Sequence, residues 1–506
     1  MIKKWLPSLI GLSVFAMLGR LLGFVREMLI ASSFGATDVT DSYLTALLLF
    51  DIAVAANASF LQGSFAYSTE IKSKAGFNKQ IYKLGFKILF IVLFLALLYY
   101  PLADYIVPLF YSRSQQANET IINSSKLFFI LASFLSASGV FSALLQMKGN
   151  ITNPGRLVLF LNVLSIAFLL LFGKNMGIIS IPLGFLCGGI LFFAYQIILI
   201  KKDNAAWPDE SGISDFRFSG WIIVSFLIFT NALFPSVMGL AERYFAYGFS
   251  AGSFSHYQYS QKILQLPYTI LSFAISASLL PMQVKSVNEG NEEEFNRATR
   301  NGIILSIVTS AFFMIIFFAL AGPIVQIIYQ RGQFTLLDRA ETSSALNLLS
   351  MGLIPYLLSP VIANIYFTRK AVKKLVLINL AFVFIQAASL AFFSKQAPGV
   401  KALASSWILI GWLNNITLIV YALTKKYFIL DRKIIFKLII IFSAALLTAY
   451  FGRTLSENAF AGGNSSLPEI VIKLVLCGAV LSAVYLLMCI LVLRRQLTAI
   501  IKNRGM

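Results

Sequence analysis

The chain has 506 residues, 58% of them hydrophobic, 14% aromatic and only 12% charged, with a mean hydropathy of +0.80. Soluble domains carry about 25% charged residues, so a soluble enzyme or binding module is excluded; apolar runs of about 20 residues recur throughout, as in a polytopic α-helical membrane protein. The net charge of +20 sits at the ends of those runs rather than on a basic face interleaved with aromatics, which argues against nucleic acid as a partner.

Fourteen spans are predicted in chain order, over 5–33, 42–70, 86–110, 125–147, 157–173, 176–200, 218–248, 256–284, 301–328, 342–367, 375–394, 402–424, 436–452 and 471–493. The first opens on Lys3 and Lys4 but holds Arg20 within its apolar run and ends on no convincing small-x-small site, so it reads as a retained helix rather than a cleaved signal. Little more than "GKNMG" (173–177) separates the fifth from the sixth, a tight turn. The sizeable hydrophilic connections are 201–217, 285–300 and 453–470, and none is large enough for a soluble domain. With a cytoplasmic N-terminus the inside segments, counted with the span ends beside them, hold 28 Lys and Arg and the opposite ones 9, so both termini are expected in the cytoplasm. "RKAVKK" (369–374) and "KKYFILDRK" (425–433) anchor the later half.

A weak internal repeat is also present. "GFVRE" (23–27) is echoed by "GLAER" (239–243), and "SFAYS" (64–68) by "SFAIS" (272–276). Parallel repeats of six spans are a transporter design. The expected organisation is an N-lobe over 1–200, a cytoplasmic linker over 201–217, a C-lobe over 218–424, and two extra helices with a basic tail over 425–506.

Ionisable groups inside a membrane span cost about 2.5–3.5 kcal/mol each to insert and usually face a bundle interior or aqueous cavity. Those deep within the spans are Arg20, Arg26, Glu27, Asp51, Glu242, Arg243 and Lys262. Arg20 and Glu27, seven residues apart, share a stripe on the first helix, and Arg26 lies about 120° around the axis from Arg20. A broad interior face, or a bend near Gly19 and Gly23, would let both arginines address one cavity. Arg26 with Glu27, and Glu242 with Arg243, could instead be structural pairs. The planar guanidinium fork suits phosphate, which favours Arg20, Arg26, Arg243 and Lys262 as an anion-binding set. Asp51 reads as an ion-pair partner for an arginine, or else as a coupling carboxylate. Asp38 and Asp41, in "GATDVTD", fall at the outer mouth, solvated or in a gate contact.

Enzyme readings lack support. The chain has one histidine, His256, short loops and no carboxylate pair with acid–base spacing. Cys187, Cys477 and Cys489 lie inside apolar runs and read as small hydrophobes, not as a disulfide or metal set. No phosphate-binding loop or nucleotide fingerprint appears.

"GRLLGFVREMLIASSFGATDVTDSYLTA" (19–46) resembles the first-helix signature of the MurJ/MviN family, whose members flip lipid II, the undecaprenyl-diphosphate-linked peptidoglycan precursor. The resemblance continues through "AERYFAYGFSAGSFSHYQYSQKILQLP" (241–267), "SFAISASLLP" (272–281), "IYQRGQFT" (328–335) and "NIYFTRKAVKKLV" (364–376). It implies the fold of the multidrug/oligosaccharidyl-lipid/polysaccharide exporter superfamily, with two pseudo-symmetric six-helix lobes around a cationic cavity. Two C-terminal helices would form a lipid-tail groove. Arg20 and Arg26 match the first-helix arginines of the family, and Asp41 its acidic residue after "FGA". The second helix departs from the pattern: "ALLLFDIAVAANASFLQGSF" (46–65) has Asp51 and no basic residue, and Lys262 stands where the family has an arginine.

The resemblance thus implies a lipid II flippase of the bacterial cytoplasmic (inner) membrane, working by alternating access, with no cofactor beyond a coupling cation or the membrane potential. Its partners would be a polyprenyl-diphosphate-linked saccharide, the lipid bilayer and the cell-wall synthesis machinery. The alternatives are a flippase for another polyprenyl-diphosphate-linked glycan (an O-antigen, capsule or exopolysaccharide unit) and a cation-coupled multidrug exporter using Asp51.

Overall fold

A computed structural model of the chain describes residues 2–70, 77–111, 114–150, 152–202, 218–460 and 466–502. The helices are α1 (Ile2–Phe34), α2 (Asp38–Glu70), α3 (Phe77–Phe110), α4 (Gln115–Met147), α5 (Asn153–Met176), α6 (Ser180–Lys202), α7 (Phe218–Ala232), α8 (Phe234–Tyr247) and α9 (Ser253–Asn288). They continue as α10 (Glu292–Ala319), α11 (Ala321–Tyr329), α12 (Leu336–Ser350), α13 (Leu353–Thr368), α14 (Val372–Gln396), α15 (Val400–Thr424), α16 (Arg432–Ala459) and α17 (Leu467–Lys502). No strand occurs among the described residues. The expected linker lies outside them from 203 to 217, as do the last four residues of the basic tail.

Every expected span falls on helical residues, but a count of fourteen crossings is not confirmed. Ten segments among the described residues are long and apolar enough to cross a membrane, and up to eleven if a bent pair is one span. One of the ten, Asn153–Lys202, is 50 residues long and contains two antiparallel helices. Three expected spans are broken: 218–248 at Leu233, 301–328 at Leu320, and 342–367 at Met351 and Gly352, where α12 and α13 meet at a 43° bend. Pro235, Pro323 and Pro355 follow these breaks by two or three residues, where a missing N–H cannot extend the preceding helix. Proline alone does not decide this, because Pro101, Pro267 and Pro281 sit inside continuous helices.

The chain forms two compact units, Met1–Ser255 and His256–Met506. In the first, α2 and α3 lie along α4, α1 lies on α5, α5 pairs with α6, and α7 lies on α2. Lipid tails are as apolar as leucine, so helices in a bilayer associate through close packing and polar contacts rather than through a hydrophobic drive. The α5–α6 hairpin uses both. Gly184 and Gly188, one turn apart, bring α6 so near α5 that an added Cβ would lie 2.6 Å from Ser165 Cα and 2.7 Å from the Phe160 carbonyl oxygen. The buried Gln196 amide donates to Ser142 Oγ and Asn153 Oδ1, both at 2.8 Å, and so joins α6 to α4 and the start of α5. Trp221 Nε1 donates to Ser64 Oγ at 3.0 Å, tying α7 to α2.

In the second unit α10 packs against α12, α13 and α16, α14 pairs with α15, and α16 with α17. Its core is built on Phe295, Ile303, Val361, Ile362 and Tyr366. The Tyr366 hydroxyl donates to the Leu418 carbonyl at 2.7 Å. At one end of that core Arg369 grips Glu292 through both terminal nitrogens, at 2.7 and 2.5 Å. Large apolar side chains stand outward on both units, among them Phe90, Phe94, Leu171, Phe384, Leu447 and Leu487. Such a belt suits lipid rather than water.

Candidate functional site

The motif "GRLLGFVRE" does its work through spacing. Gly19 and Gly23, one turn apart, face α5; a Cβ at Gly19 would lie 2.6 Å from Val158, and one at Gly23 3.6 Å from Asn162 Oδ1. The glycines therefore allow close approach, and α1 continues through them as one helix instead of breaking there. Asn162 exploits that approach. Its Nδ2 donates to the Gly19 and Val158 carbonyls, both at 3.0 Å, leaving Oδ1 to accept from Arg26 Nη1 at 2.6 Å.

Arg26 is 7% exposed and Glu27 1%. Arg26 Nη2 donates to Glu27 Oε1 at 2.7 Å, and the guanidinium sits 4.7 Å from the centre of the Phe185 ring. Arg26 Nε, Glu27 Oε2 and the Tyr43 hydroxyl are buried without a hydrogen-bond partner among the described residues. The site is therefore polarised but not saturated. Asp51 and Tyr43 lie within electrostatic reach of Arg26.

Arg243, also 7% exposed, approaches the same acid from α8, with Nη2 3.6 Å from Asp51 Oδ2. Its Nε donates to the Leu44 carbonyl at 3.3 Å and its Nη1 to the Gly239 carbonyl at 3.1 Å. The Asp51 side chain is 53% exposed, so this pair borders open space. Glu242, next in the chain, is half-buried.

Arg20 is placed differently. It shares a stripe with Glu27, yet it is exposed and makes no hydrogen bond or ion pair among the described residues. Seven residues along a helix amount to about 10 Å of depth, so a common stripe does not mean common burial. Lys262 lies on α9 in the second unit, half-buried.

Asp41 has a specific task. Oδ2 accepts from the Gly252 amide at 2.9 Å, and Oδ1 from the Ser255 amide at 2.7 Å and the Ser255 hydroxyl at 2.5 Å. These donors belong to the turn before α9 and to its first residues. The carboxylate thus caps that helix, whose first-turn amides lack intrahelical acceptors. Gly252 is fixed by geometry as well: its φ is +84°, and a Cβ there would fall 2.4 Å from the Ala36 carbonyl oxygen.

The structure therefore brings Arg26 to Glu27 and Arg243 to Asp51, and puts Asp41 at a helix cap. Asn162, Tyr43 and Phe185 were not picked out by sequence reasoning. Asn162 carried a signal, a lone amide in the apolar run "LVLFLNVLSIAFLLLF" (157–172). In the second unit His256 Nε2 lies 2.9 Å from Asp338 Oδ1, while Asp338 Oδ2 accepts from the Thr335 amide and hydroxyl.

A family model described as "Lipid II flippase MurJ" matches residues 30–472. Relatives named "Probable lipid II flippase MurJ" include one from Buchnera aphidicola subsp. Baizongia pistaciae, 26% identical over 460 residues, covering 87% of this chain and 88% of the relative. Another, from Rickettsia prowazekii, is 26% identical and covers 74% and 75%. A "Lipid II flippase MurJ" from Burkholderia cenocepacia is 21% identical and covers 72% and 74%. Among solved structures, a lipid II flippase MurJ in an inward closed conformation superposes with a TM-score of 0.77 at 20% identity, covering 96% of this chain and 100% of that one. An inward-facing MATE family transporter of the MOP superfamily gives 0.68 at 11% identity, covering 83% and 98%. The fold is therefore the multi-pass helical fold that these MurJ and MATE structures share, and the family is one of transporters rather than catalysts. With its family model matched from residue 30 to residue 472 of 506, the chain belongs to the MurJ family.

Proposed function

We propose that this chain is a lipid II flippase, carrying the undecaprenyl-diphosphate-linked precursor from the inner to the outer leaflet of a bacterial cytoplasmic membrane. The observation that carries the reading is Arg26, desolvated and oriented by Asn162 and Phe185, in a chain of the MurJ family. A guanidinium held in a low-dielectric site binds a diphosphate far more strongly than one in water. Glu27 keeps Arg26 neutralised without substrate, and the diphosphate oxygens replace Glu27 Oε1 and Asn162 Oδ1 as acceptors. Arg20, exposed and without an ion-pair partner among the described residues, gives the anion its first contact. Arg243 and Lys262 add charge later in the passage.

The headgroup moves by alternating access, with an N-lobe over 1–200 rocking against a C-lobe over 218–424. The polyprenyl tail stays in lipid along the helices after 425. Both termini lie in the cytoplasm, as the excess of Lys and Arg on that side requires. An inside-negative potential then favours outward movement of the anionic headgroup by about 2.3 kcal/mol per charge per 100 mV. The flipped precursor is delivered to the cell-wall synthesis machinery. Another lipid-linked glycan as substrate is not favoured: the family model and the relatives carry the name lipid II flippase.

The test is reconstitution with labelled lipid II beside a polyprenyl-diphosphate glycan lacking peptide, reading headgroup exposure in the opposite leaflet. Lipid II is expected to cross well above the rate in empty vesicles and faster than the glycan. Exposure of lipid II no faster than in empty vesicles would remove the assignment.

A further inference from the structure

The second unit contains a cavity of about 700 Å³ that the flippase reading does not use. Such a volume is in the range of small-molecule sites, about 300–1,000 Å³. Two helix faces form its walls. Ser343, Ser344 and Asn347 repeat at three and four residues on α12, and Arg453, Ser456 and Glu457 do so on α16. Lys401, in the first turn of α15, closes one side. Ala321 and Gly322, which open α11, form another part of the lining.

The chemistry of this lining is that of an anion site. Helix α11 begins at Leu320 without a side-chain cap, so its first amides look for an acceptor outside the helix. Lys401 and Arg453 supply two cations against one lining carboxylate, Glu457, which accepts from Arg453 Nε at 3.0 Å. Arg339 adds a third cation from α12: its Nη2 would lie 3.9 Å from a Cβ built on Gly322. That contact is also the nearest a Gly322 side chain would meet, so the space in front of the glycine is open.

We propose that this cavity is a phosphate-binding site. It holds a phosphate mono- or diester against the start of α11, between Lys401 and Arg453. Amide nitrogens at a helix start, a guanidinium and an ammonium together match the tetrahedral oxygens of one phosphate group. The anion is either a phospholipid headgroup or free phosphate. It is separate from the anion handled at Arg26, so the test reads binding and not transport.

The full-length protein in nanodiscs is titrated with fluorescent phosphatidylglycerol, with phosphatidylcholine as the control and inorganic phosphate as competitor. Selective retention of phosphatidylglycerol is expected, weakened about tenfold by each of Lys401→Ala and Arg453→Ala, the size of one lost charge-assisted hydrogen bond. Gly322→Leu puts a side chain into that space, where its Cβ meets nothing nearer than Arg339 Nη2 at 3.9 Å, so it should abolish the selective binding, with the melting temperature read beside it to show that the variant folds. Retention that resists millimolar phosphate identifies the lipid as the source. Displacement by phosphate, with phosphate itself binding to the wild type and not to Gly322→Leu, identifies the free anion. Equal binding of both probes by wild type and by all three variants would overturn the site.

Discussion

The molecule presents two basic sites built on opposite plans. Around Arg26 and Arg243 in the first unit, each arginine is buried and carries its own acid, Glu27 or Asp51. Around Lys401 and Arg453 in the second unit, the cations line a cavity at the ends of helices and outnumber the one acid beside them. The difference follows from desolvation. A lone charge deep in a bilayer is too costly to keep, so a buried arginine must have a counter-ion before any ligand arrives. A cation at a helix end keeps its water and needs none. On the two proposals above, binding at the first site would be exchange of one anion for another, and at the second it would be addition.

The largest effect belongs to the exchange site. Arg26→Ala leaves Glu27 buried at 1% exposure with its charge uncompensated, a loss of about 3–5 kcal/mol. A lowered melting temperature and background translocation should both follow, and by itself this does not separate folding from function. The double variant Arg26→Ala with Glu27→Gln removes the stranded charge. It should recover most of the melting temperature while lipid II translocation stays at background. Wild-type transport by the double variant would show that Arg26 does not hold the diphosphate.

Asn162 sharpens the same point from the other side. Asn162→Ala removes the acceptor at 2.6 Å that fixes the guanidinium, but leaves Glu27 in place. One buried hydrogen bond to a charged group is worth about 1.5–3 kcal/mol. Transport should fall about tenfold or more, at roughly 1.4 kcal/mol per factor of ten, with Glu27→Gln in the same background giving no recovery. Transport at the wild-type rate would mean that orientation of Arg26 is unimportant.

Asp41 is expected to act on stability alone at first reading. Asp41→Ala releases the amides of Gly252 and Ser255 and the Ser255 hydroxyl, and a lost helix cap costs about 1–2 kcal/mol. Hydrogen exchange should accelerate at 252–255 while the amides of α5 and α6 keep their protection. Unchanged exchange at 252–255 would remove the capping role.

The helices were legible because a bilayer demands long apolar runs, and runs such as 375–394 or 402–424 have no competing explanation. The breaks at Leu233 and Leu320 were not, because hydropathy is indifferent to backbone direction and prolines occur in unbroken helices too. Arg26 and Arg243 were legible as charges in apolar runs. Their partners were less so: Asn162 lies 136 residues from Arg26, and Asp51 is brought to Arg243 by a packing that no local spacing encodes. Arg20 was read onto the same stripe as Glu27, correctly as an angle and without its depth. The cap at Asp41 escaped because its donors are mostly main-chain amides, which every sequence has.

The smallest effect distinguishes the flippase reading from ion-coupled export. Asp51 is 53% exposed and 3.6 Å from Arg243, whose other nitrogens donate to the Leu44 and Gly239 carbonyls. Arg243 therefore stays in place when the charge of Asp51 is removed. A half-exposed pair at that distance is worth about 0–1 kcal/mol. Asp51→Asn should leave the melting temperature nearly unchanged and translocation within about twofold of wild type, the rate equivalent of about 0.4 kcal/mol. A coupling carboxylate behaves differently, because without it the cation no longer binds and the gradient no longer drives transport. If Asp51→Asn abolished movement, and wild-type movement followed an imposed Na⁺ or H⁺ gradient, Asp51 would belong to the energy source and not to the counter-ion set of Arg243.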